Sequence, residues 1–422
     1  MRVLLLGGGG REHALGWKLA QSPMLDRLIS CPGNPGLGTL GDVAADVDPE
    51  DPAAVVALCR ERAIDLVVVG PEGPLAAGVA DALNAEGIPV FGPTSAGARL
   101  ESSKSFAKEI MAAAEVPTAG SATFRDRETA VIHLEESSGP YVVKADGLAA
   151  GKGVLVTESL EAAIEWVDGC LEGRFGAAGS AVVIEEHLTG DEVSIFYLCA
   201  DGEAIPFQPA RDYKRLLDDD EGPNTGGMGS FSPVEDIDDD LVDWTTVHVA
   251  LPTLGELASR DIDYTGFLYV GLMLTSDGPK VLEFNCRLGD PEAEVLMPRI
   301  TSDLLAVLNA ASNEGLTGHG VTWSNRAAVD VVLAAPGYPE SPVKGLRITG
   351  LDHIENILVF HAGTREAGGR LVSSGGRVLN IVGLGDNIGE ARDNAYAAAQ
   401  HIEFKGKQFR TDIAAKQEGT SP

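Results

Sequence analysis

The sequence predicts an α/β protein of several domains that begins with a parallel sheet. In the first hundred residues, short β-rich runs ending in glycine or proline alternate with helical segments, as in "RVLLLGGGG" followed by "REHALGWKLAQS". Such alternation is typical of βαβ units, whose strands run parallel. The chain has 422 residues, which is too long for one hydrophobic core. Further domains are therefore expected after the first sheet.

Glycine- and proline-rich loops follow three strands of this predicted sheet, at Gly7–Gly10, Pro32–Gly36 and Gly70–Gly73. Ligands of parallel sheets bind beyond the carboxyl ends of the strands, so we expect these loops to border a ligand. The first loop fits a dinucleotide fingerprint poorly, because Glu12 stands where the third glycine belongs. Two interpretations stay open for it: a phosphate at a helix N-terminus, or a tight turn alone.

The rest of the chain indicates two more folding units. A helix is predicted from near Leu100 to before Pro117, and compact strand and helix signals follow it. Asp277-Gly278 is a strong hairpin signal between two β-rich runs. From about residue 320, short strands and turns lead to a last helix from Ile388. We interpret this final part as a mixed α/β domain without an evident catalytic cluster.

The composition excludes several classes of partner. Acidic residues outnumber basic ones by 63 to 32, for a net charge of −31, so no nucleic-acid partner and no anionic membrane surface is expected. The five cysteines are scattered without a C-x-x-C pair, which indicates neither a disulfide framework nor a zinc site. No apolar stretch approaches the ~20 residues of a membrane span, nor does the N-terminal run suit a signal peptide. We expect a cytoplasmic protein.

The stretch "KADGLAAGKGVLV" from Lys144 resembles a phosphate loop without being a Walker motif. A Walker loop has four residues between its first glycine and Gly-Lys, and then a Ser or Thr that binds magnesium. Here three residues separate Gly147 from Gly151, and Lys152 is followed by Gly153. A phosphate at this loop therefore requires a different architecture.

The run "VLEFNCRLGDPE" gives the sharpest signal for a site. On a strand, Glu283, Asn285 and Arg287 share one face, because side chains two apart point the same way. Carboxylate and amide oxygens suit magnesium, and a guanidinium can clamp a carboxylate or a phosphate. An exposed edge strand is the alternative, but the acidic turn with Asp290 and Glu292 favours a site.

A second segment, "RDYKRLLDDDEGPNTGGMG", combines positive charge with glycines. Lys214 and Arg215 stand close together in an otherwise acidic chain, and Asn224 and Thr225 open the glycine loop. Loop amides beside cations suit an anion. A solvated charge run before a disordered linker fits the same residues, so both interpretations stay open. In a third segment, "VVIEEHL", the backbone of Glu185–Leu188 could pair with a purine edge, and Glu192 with ribose hydroxyls.

Taken together, the motifs resemble the glycinamide ribonucleotide synthetase family of the ATP-grasp superfamily. In order, they are "GGGGREHAL", "PGNPG", "GPE", "LESSK", "KADGLAAGKGV", "VIEE", "GPNTGGMG", "GFLYVGLM" and "EFNCRLGDPE", and the resemblance runs from residue 1 to about 415. It implies ATP-dependent joining of glycine to 5-phosphoribosylamine through glycyl phosphate, the second step of de novo purine biosynthesis. The products are glycinamide ribonucleotide, ADP and phosphate.

The resemblance also implies a domain plan and cofactors. A Rossmann-like pre-ATP-grasp domain would span residues 1–102, and an ATP-grasp domain 103–318, with a small lid at about 122–188. A mixed α/β domain would cover 319–422. The implied cofactors are ATP and Mg²⁺ or Mn²⁺, and the implied state is a monomer or a weak oligomer.

Roles for individual residues follow from the same resemblance. Those that contact ATP would be Lys104, Lys144, Gly147, Gly151, Lys152, Gly153, Glu185, Glu186, Leu188 and Glu192. Glu283 and Asn285 would bind the metal, and the catalytic set would be Arg287, Lys214 and Asp290. Substrates would contact Gly10, Arg11, Glu12, Asn34, Glu72, Asp212, Arg215, Asn224, Thr225, Gly226 and Gly227.

The sequence departs from the family at three positions, since Gly8, Arg211 and Tyr213 stand where Asn, Gln and His are usual. The strand "FLYVGLML" also offers no third acid, so water or phosphate oxygens would complete the magnesium shell. Three other functions stay open at this point: another carboxylate-amine ligase of the superfamily, a nucleotide-dependent oxidoreductase, and a nucleotide-binding regulator without catalysis.

Overall fold

A five-stranded parallel sheet forms the N-terminal part of the chain. The computed structural model describes residues 1–149, 152–353 and 357–415. The first elements are β1 (Arg2–Gly7), α1 (Gly10–Leu19), β2 (Arg27–Pro32), β3 (Asp42–Val43), α2 (Pro52–Arg62), β4 (Leu66–Val69), α3 (Glu72–Ala76), α4 (Val79–Ala85) and β5 (Val90–Phe91). The strand order is β3-β2-β1-β4-β5 with every pairing parallel. The predicted parallel sheet is confirmed, and the loops after β1 and β4 meet at one edge.

Two helices, rather than the single helix predicted from Leu100, connect this sheet to the next unit. They are α5 (Ser95–Ser102) and α6 (Lys104–Ala113). The prediction was wrong because Ser103 adopts an extended conformation with φ −146° and caps α6, its Oγ accepting the Phe106 N–H at 3.2 Å. The break places Lys104 in the first turn of a new helix.

The segment expected to form the lid, which we call the lid below, is a small antiparallel sheet with two helices on one face. Its elements are β6 (Ser121–Phe124), α7 (Arg127–Glu136), β7 (Tyr141–Ala145), β8 (Val154–Thr157), α8 (Leu160–Leu171) and β9 (Val182–Glu185), and its strand order is β6-β9-β7-β8. Val143 and Ala145 of β7 pack into the core under the helices. Lys144 lies between them and therefore points to the opposite face.

A larger antiparallel sheet faces the lid. The elements of this segment are β10 (Asp191–Ala200), β11 (Glu203–Pro206), β12 (Arg211–Asp212), β13 (Arg215–Leu217), β14 (Glu221–Asn224), β15 (Gly229–Ser232), α9 (Asp239–Thr245), α10 (Leu251–Ser259), β16 (Gly266–Thr275) and β17 (Gly278–Asn285). The sheet order is β11-β10-β16-β17, and the hairpin predicted at Asp277-Gly278 joins β16 to β17. A bulge leaves Leu282 unpaired between Val281 and Glu283.

The C-terminal part builds a third sheet and shares it with the preceding segment. Its elements are α11 (Glu292–Leu296), α12 (Leu304–Asn313), β18 (Ala327–Ala334), β19 (Leu358–His361), β20 (Thr364–Ala367), β21 (Arg370–Ser373), β22 (Arg377–Gly385) and α13 (Ile388–His401). The sheet order is β12-β15-β18-β22-β19. Because β15 pairs with β18, the glycine loop before β15 is anchored to the C-terminal part. None of the described helices is long and apolar enough to cross a membrane.

Candidate active site

A cavity of about 600 Å³ lies where the lid, the larger sheet and the N-terminal loops meet. Most of the predicted site residues line it, although they come from distant parts of the chain. They are Arg11, Glu72, Lys104, Lys144, Gly153, Glu185, Glu186, Leu188, Glu192, Asp212, Lys214, Asn224, Thr225, Gly226, Glu283, Asn285, Arg287 and Asp290.

Three lysines, Lys104, Lys108 and Lys144, form one side of the cavity, which we call the lysine wall. Glu185 is buried between two of them, with Oε2 at 2.9 Å from Lys144 Nζ and 3.4 Å from Lys108 Nζ. Burial lowers the pKa of Lys104 and of Lys108, and neighbouring acids oppose the shift. Lys108 was missed from the sequence, although it lies one helical turn after Lys104 on α6 and shares its face.

The segment after β9 borders the same cavity with its backbone. The Glu186 N–H donates to Gly120 O at 2.8 Å, which fixes the strand end. Among the described residues, nothing bonds to the Glu186 carbonyl or the Leu188 N–H. The Glu186 carbonyl is thus left as an acceptor and the Leu188 N–H as a donor, two residues apart, and such a pair can bond to the edge of a purine.

Glu283 and Asn285 of β17 line the same cavity as the lysine wall, and Lys144 Nζ donates to the neighbouring Leu282 O at 3.4 Å. Burial alone would raise the pKa of Glu283, but the charges of Lys214, Lys144, Lys104 and Arg287 hold it below its usual value. The carboxylate is therefore ionised and, with the Asn285 amide oxygen, forms a hard-oxygen pair suited to magnesium. Within the described residues, no group of three or more His, Cys, Asp or Glu side chains has the geometry of a metal site. A metal here would need further oxygens from outside the protein.

Lys214 and Asp212 approach the cavity from the segment beside β12. Lys214 Nζ lies 2.6 Å from Glu192 Oε2. Burial raises the pKa of Asp212, although the Lys214 charge opposes it. Glu192 is thus bound to a lysine in this structure rather than standing open to a sugar.

Arg287 is held by two acids from the N-terminal part. Its Nε lies 3.1 Å from Glu72 Oε2, and its Nη2 lies 2.7 Å from Glu101 Oε1. Burial opposes ionisation of Glu72, but the charges of Arg287 and Arg11 bring its pKa down to about 2. Arg11 Nη1 also donates to Leu288 O at 3.1 Å. The "GPE" and "LESSK" motifs therefore meet the "NCRLGD" turn in one ionic cluster.

The C-terminal part contributes to the site, which the sequence did not predict. Arg377 Nη1 donates to the carbonyls of Gly226 at 2.6 Å and Asp290 at 2.5 Å, and lies 3.0 Å from Asp290 Oδ1. The Gly226 N–H donates to the Tyr338 hydroxyl at 2.8 Å. We call Tyr338 and Arg377 the C-terminal wall. The sequence showed no evident catalytic cluster in this part, and it did not predict these contacts, which join segments more than a hundred residues apart.

A second cavity of about 420 Å³ adjoins the first and shares Arg377 and Asp290 with it. Gly8 and Gly9 line one side, and Lys152 lies at its mouth, with Nζ 3.3 Å from Pro339 O. Steric crowding explains why position 8 is a glycine: a Cβ at this position would lie 2.5 Å from the Gly33 carbonyl oxygen. The Asn usual in the family would require the 33–34 loop to move.

Several predicted site residues do not line either cavity. Asn34 braces the loops by donating to Gly8 O at 3.0 Å and His361 O at 2.7 Å. Glu12 accepts the Gly9 N–H at 2.7 Å and pairs with Arg11. The others are Gly10, at the start of α1; Gly147, whose N–H bonds to Ala178 O; Arg215, whose Nη1 bonds to Gly222 O; and Gly227, whose N–H bonds to Thr225 Oγ1. Gly151 lies outside the described residues.

The two departures at Arg211 and Tyr213 also lie away from the cavities. Arg211 donates to Glu192 O at 3.1 Å and pairs with Asp236 at 3.0 Å. The Tyr213 hydroxyl accepts the Ala414 N–H at 2.8 Å. Neither side chain borders one of these cavities, so both are interpreted as structural residues that bond neighbouring segments.

The sheet arrangement and the cavity between lid and larger sheet define an ATP-grasp ligase. The biotin carboxylase domain of Hydrogenobacter thermophilus 2-oxoglutarate carboxylase, solved with MgADP, shares this fold with a TM-score of 0.74 at 17% identity, covering 97% of this chain and 91% of that one. A phosphoribosylamine–glycine ligase structure from Thermotoga maritima is closer, with a TM-score of 0.85, 38% identity and coverage of 98% and 100%.

The chain belongs to the phosphoribosylglycinamide synthetase family. The N domain, ATP-grasp (A) domain and C domain of that family match residues 1–101, 102–293 and 328–416. A phosphoribosylamine–glycine ligase from Mesorhizobium japonicum is 49% identical over 415 residues, covering 98% of this chain and 97% of that one. The ligase of the same name from Caulobacter vibrioides is 48% identical over 417 residues, with the same coverage.

Proposed function

We propose that this cavity joins glycine to 5-phosphoribosylamine through glycyl phosphate, with ATP as the phosphoryl donor. The observation that carries the proposal is a single cavity lined by the lysine wall, by Glu283 and Asn285, and by Arg287. A carboxylate is a poor acyl donor, so it must first be phosphorylated before an amine can displace phosphate. The cavity supplies positive charge where the transferring phosphoryl group gathers negative charge.

The individual roles follow from position and charge. Lys104 and Lys144 contact the ATP phosphates, and the backbone of Glu186 and Leu188 contacts the adenine edge. Arg287 and Lys214 stabilise the phosphoryl group as it moves to glycine. The second cavity, between Gly9 and Arg377, borders the reacting centre and accepts the sugar phosphate.

Glu283 and Asn285 would hold Mg²⁺, or Mn²⁺ in its place. Bound there, the metal would neutralise phosphate charge during transfer. The chain's own part is to keep the Glu283 carboxylate ionised, through the charges of Lys214, Lys144, Lys104 and Arg287. Glu283→Ala is expected to abolish metal-dependent turnover while circular dichroism stays unchanged, and unaltered turnover would remove the metal assignment.

The lid, at about residues 122–188, would close over ATP and keep water from the acyl phosphate. The remaining proposals follow the sequence: domains at 1–102, 103–318 and 319–422, no nucleic-acid or membrane partner, a monomer or weak oligomer, and a cytoplasmic location.

The test is ADP release measured with each substrate omitted in turn. Release is expected only when glycine and phosphoribosylamine are both present, and release indifferent to glycine would contradict the proposal. Tight NAD binding without ADP release would favour an oxidoreductase. ATP binding without turnover would favour a regulator, and use of another carboxylate would favour a different ligase.

A further inference from the structure

Most of the carboxylates that border the main cavity are paired with a cation. Glu72 and Glu101 pair with Arg287, Glu185 with Lys108 and Lys144, Glu186 with Lys280, Glu192 with Lys214, and Asp290 with Arg377. These acids serve as counter-charges to the cations of the cavity, and taking up a proton would cost each of them an ion pair.

Among the described residues of the cavity, Glu283, Asp212 and Glu292 form no ion pair within 4.0 Å. Glu283 is the proposed metal ligand, and its pKa lies below its usual value. Burial raises the pKa of Asp212 and the Lys214 charge opposes that shift, and Asp212 is only partly buried. Glu292 remains as a buried cavity acid without a committed partner, and it is 4% exposed.

The Glu292 carboxylate lies against the turn before it. A Cβ on Gly289 would overlap Glu292 Oε2, so a larger residue there would displace the carboxylate. Glu292 Oε1 lies 3.4 Å from Ser194 Oγ, which in turn lies 2.9 Å from the Tyr269 hydroxyl. The carboxylate therefore accepts its hydrogen bond from a neutral hydroxyl, with Arg287 among its charged neighbours.

The charged surroundings of Glu292 favour proton uptake near neutrality. Burial is the largest effect and the charge of Asp212 adds to it, raising the pKa of Glu292 to about 7. Lys214 and Arg287 oppose the shift. The titratable groups that face Glu292 from neighbouring elements are Asp212, Lys214, Tyr269, Arg287 and Arg377.

We infer that Glu292 is the general base that accepts the proton of the phosphoribosylamine nitrogen during amide formation. The inference rests on the proposed function. The nitrogen lone pair forms the C–N bond to the glycyl carbonyl, and the C–O bond to phosphate breaks with its electron pair leaving on phosphate. The proton lost from nitrogen passes to the Glu292 carboxylate, which returns it to solvent after product leaves. Positioned general bases contribute about 10²- to 10⁴-fold.

The experiment separates the two halves of the reaction in Glu292→Gln. Hydroxylamine traps glycyl phosphate as the hydroxamate and needs little help in losing its proton, so it reports on the first half alone. We expect hydroxamate formation within about threefold of wild type, and amide formation with phosphoribosylamine reduced at least about 100-fold. Glu292→Asp should recover part of the amide-forming rate.

Glu294→Gln is the matched control, because Glu294 is a buried acid on the same helix that does not border the cavity. Both reactions should stay within about threefold of wild type in this variant. Parallel loss of both reactions in Glu292→Gln would overturn the inference, as would an unchanged amide-forming rate. A selective loss in Asp212→Asn instead would assign the base to Asp212. Absence of hydroxamate with the wild-type protein would count against the proposed function itself.

The wild-type protein gives a readout that does not depend on a variant folding. Because the base works when deprotonated, the ratio of amide to hydroxamate formation should fall as the pH drops through about 7. A ratio that is flat between pH 6 and 8, taken at saturating neutral amine, would overturn the inference.

Discussion

The lysine wall and the C-terminal wall border two adjoining cavities and bond to different kinds of group. The lysine wall presents side-chain charge to the cavity, with Glu185 as a shared counter-ion for two lysines. The C-terminal wall bonds to backbone, since Arg377 binds the carbonyls of Gly226 and Asp290, and Tyr338 accepts the Gly226 N–H. The lysine wall offers charge to a ligand, whereas the C-terminal wall holds a loop that borders the proposed sugar-phosphate cavity.

The two walls also differ in the electrostatic free energy needed to bury their charges. Burial lowers the pKa of Lys104 and of Lys108, so gathering these cations in one wall costs free energy that Glu185 only partly offsets. A phosphate ligand would supply the missing negative charge. The groups of the C-terminal wall are already bonded to Gly226 and Asp290, so a ligand would not supply a comparable missing counter-charge.

The comparison predicts the largest effect for Lys144→Met. Removing a cation from the phosphate side should lower kcat/KM for ATP by about 10²- to 10³-fold, because charge stabilisation of the transferring group is lost. Steady-state kinetics at saturating glycine measures it. Lys280→Met is the control, since Lys280 does not line the cavity, and it should stay near wild type. Equal losses of kcat/KM in both variants would show that Lys144 contributes no more than a lysine outside the cavity.

A smaller effect is expected for Arg377→Met. The variant loses two bonds from a charged donor to the carbonyls of Gly226 and Asp290, each worth about 1.5–3 kcal/mol when made. The glycine loop should become mobile, and we expect kcat/KM to fall by about 10- to 100-fold, chiefly through KM for the substrates. A fall in kcat alone would instead indicate that Arg377 contacts the reacting groups.

The way the C-terminal part docks on the N-terminal part predicts a pH dependence of stability. His13 Nδ1 accepts the His361 N–H at 2.8 Å. Burial lowers the pKa of His13 to about 3, with the His361 charge adding to the shift, and lowers that of His361 to about 4. The unfolded chain therefore binds protons that the folded chain does not once the pH falls below about 6.5.

Stability should accordingly be lost as the pH drops from about 6.5 toward 4, by up to about 1.4 kcal/mol per pH unit for each histidine. Urea denaturation at pH 7.5, 6.0 and 5.0 measures this slope. His13→Asn should flatten it, whereas His319→Asn, at an exposed position, should leave it unchanged. If the pH dependence of the free energy of unfolding were the same in wild type and in both variants, the histidine pair would not be its cause.

The two walls also differ in how far the sequence predicts them. Lys144 and Glu283 stand in local patterns whose residue types already suggest phosphate and metal, and α/β alternation predicts the parallel sheet. Lys108 was within reach, because helical spacing places it on the face of Lys104. Ser103, likewise, is a capping residue type that signals a break between two helices.

Arg377 and Tyr338 carried no such signal. Their partners are the backbone atoms of Gly226 and Asp290, and a backbone carbonyl looks the same at every position in a sequence. Their part in the site follows only from the pairing of β15 with β18 and of β18 with β22, which brings segments about 150 residues apart into contact. Long-range backbone contacts of this kind are visible in coordinates alone.

The smallest predicted effect belongs to Tyr338→Phe and gives the sharpest test of the contrast. The variant removes only the hydroxyl that accepts the Gly226 N–H, a bond worth about 1 kcal/mol. We expect the substrate KM to rise about fivefold with kcat unchanged, because the loop is loosened while the lysine wall is intact. In the Arg377→Met background the same change should add little, since the loop is already free. Full additivity in this double-mutant cycle would mean that Tyr338 and Arg377 do not act on one loop.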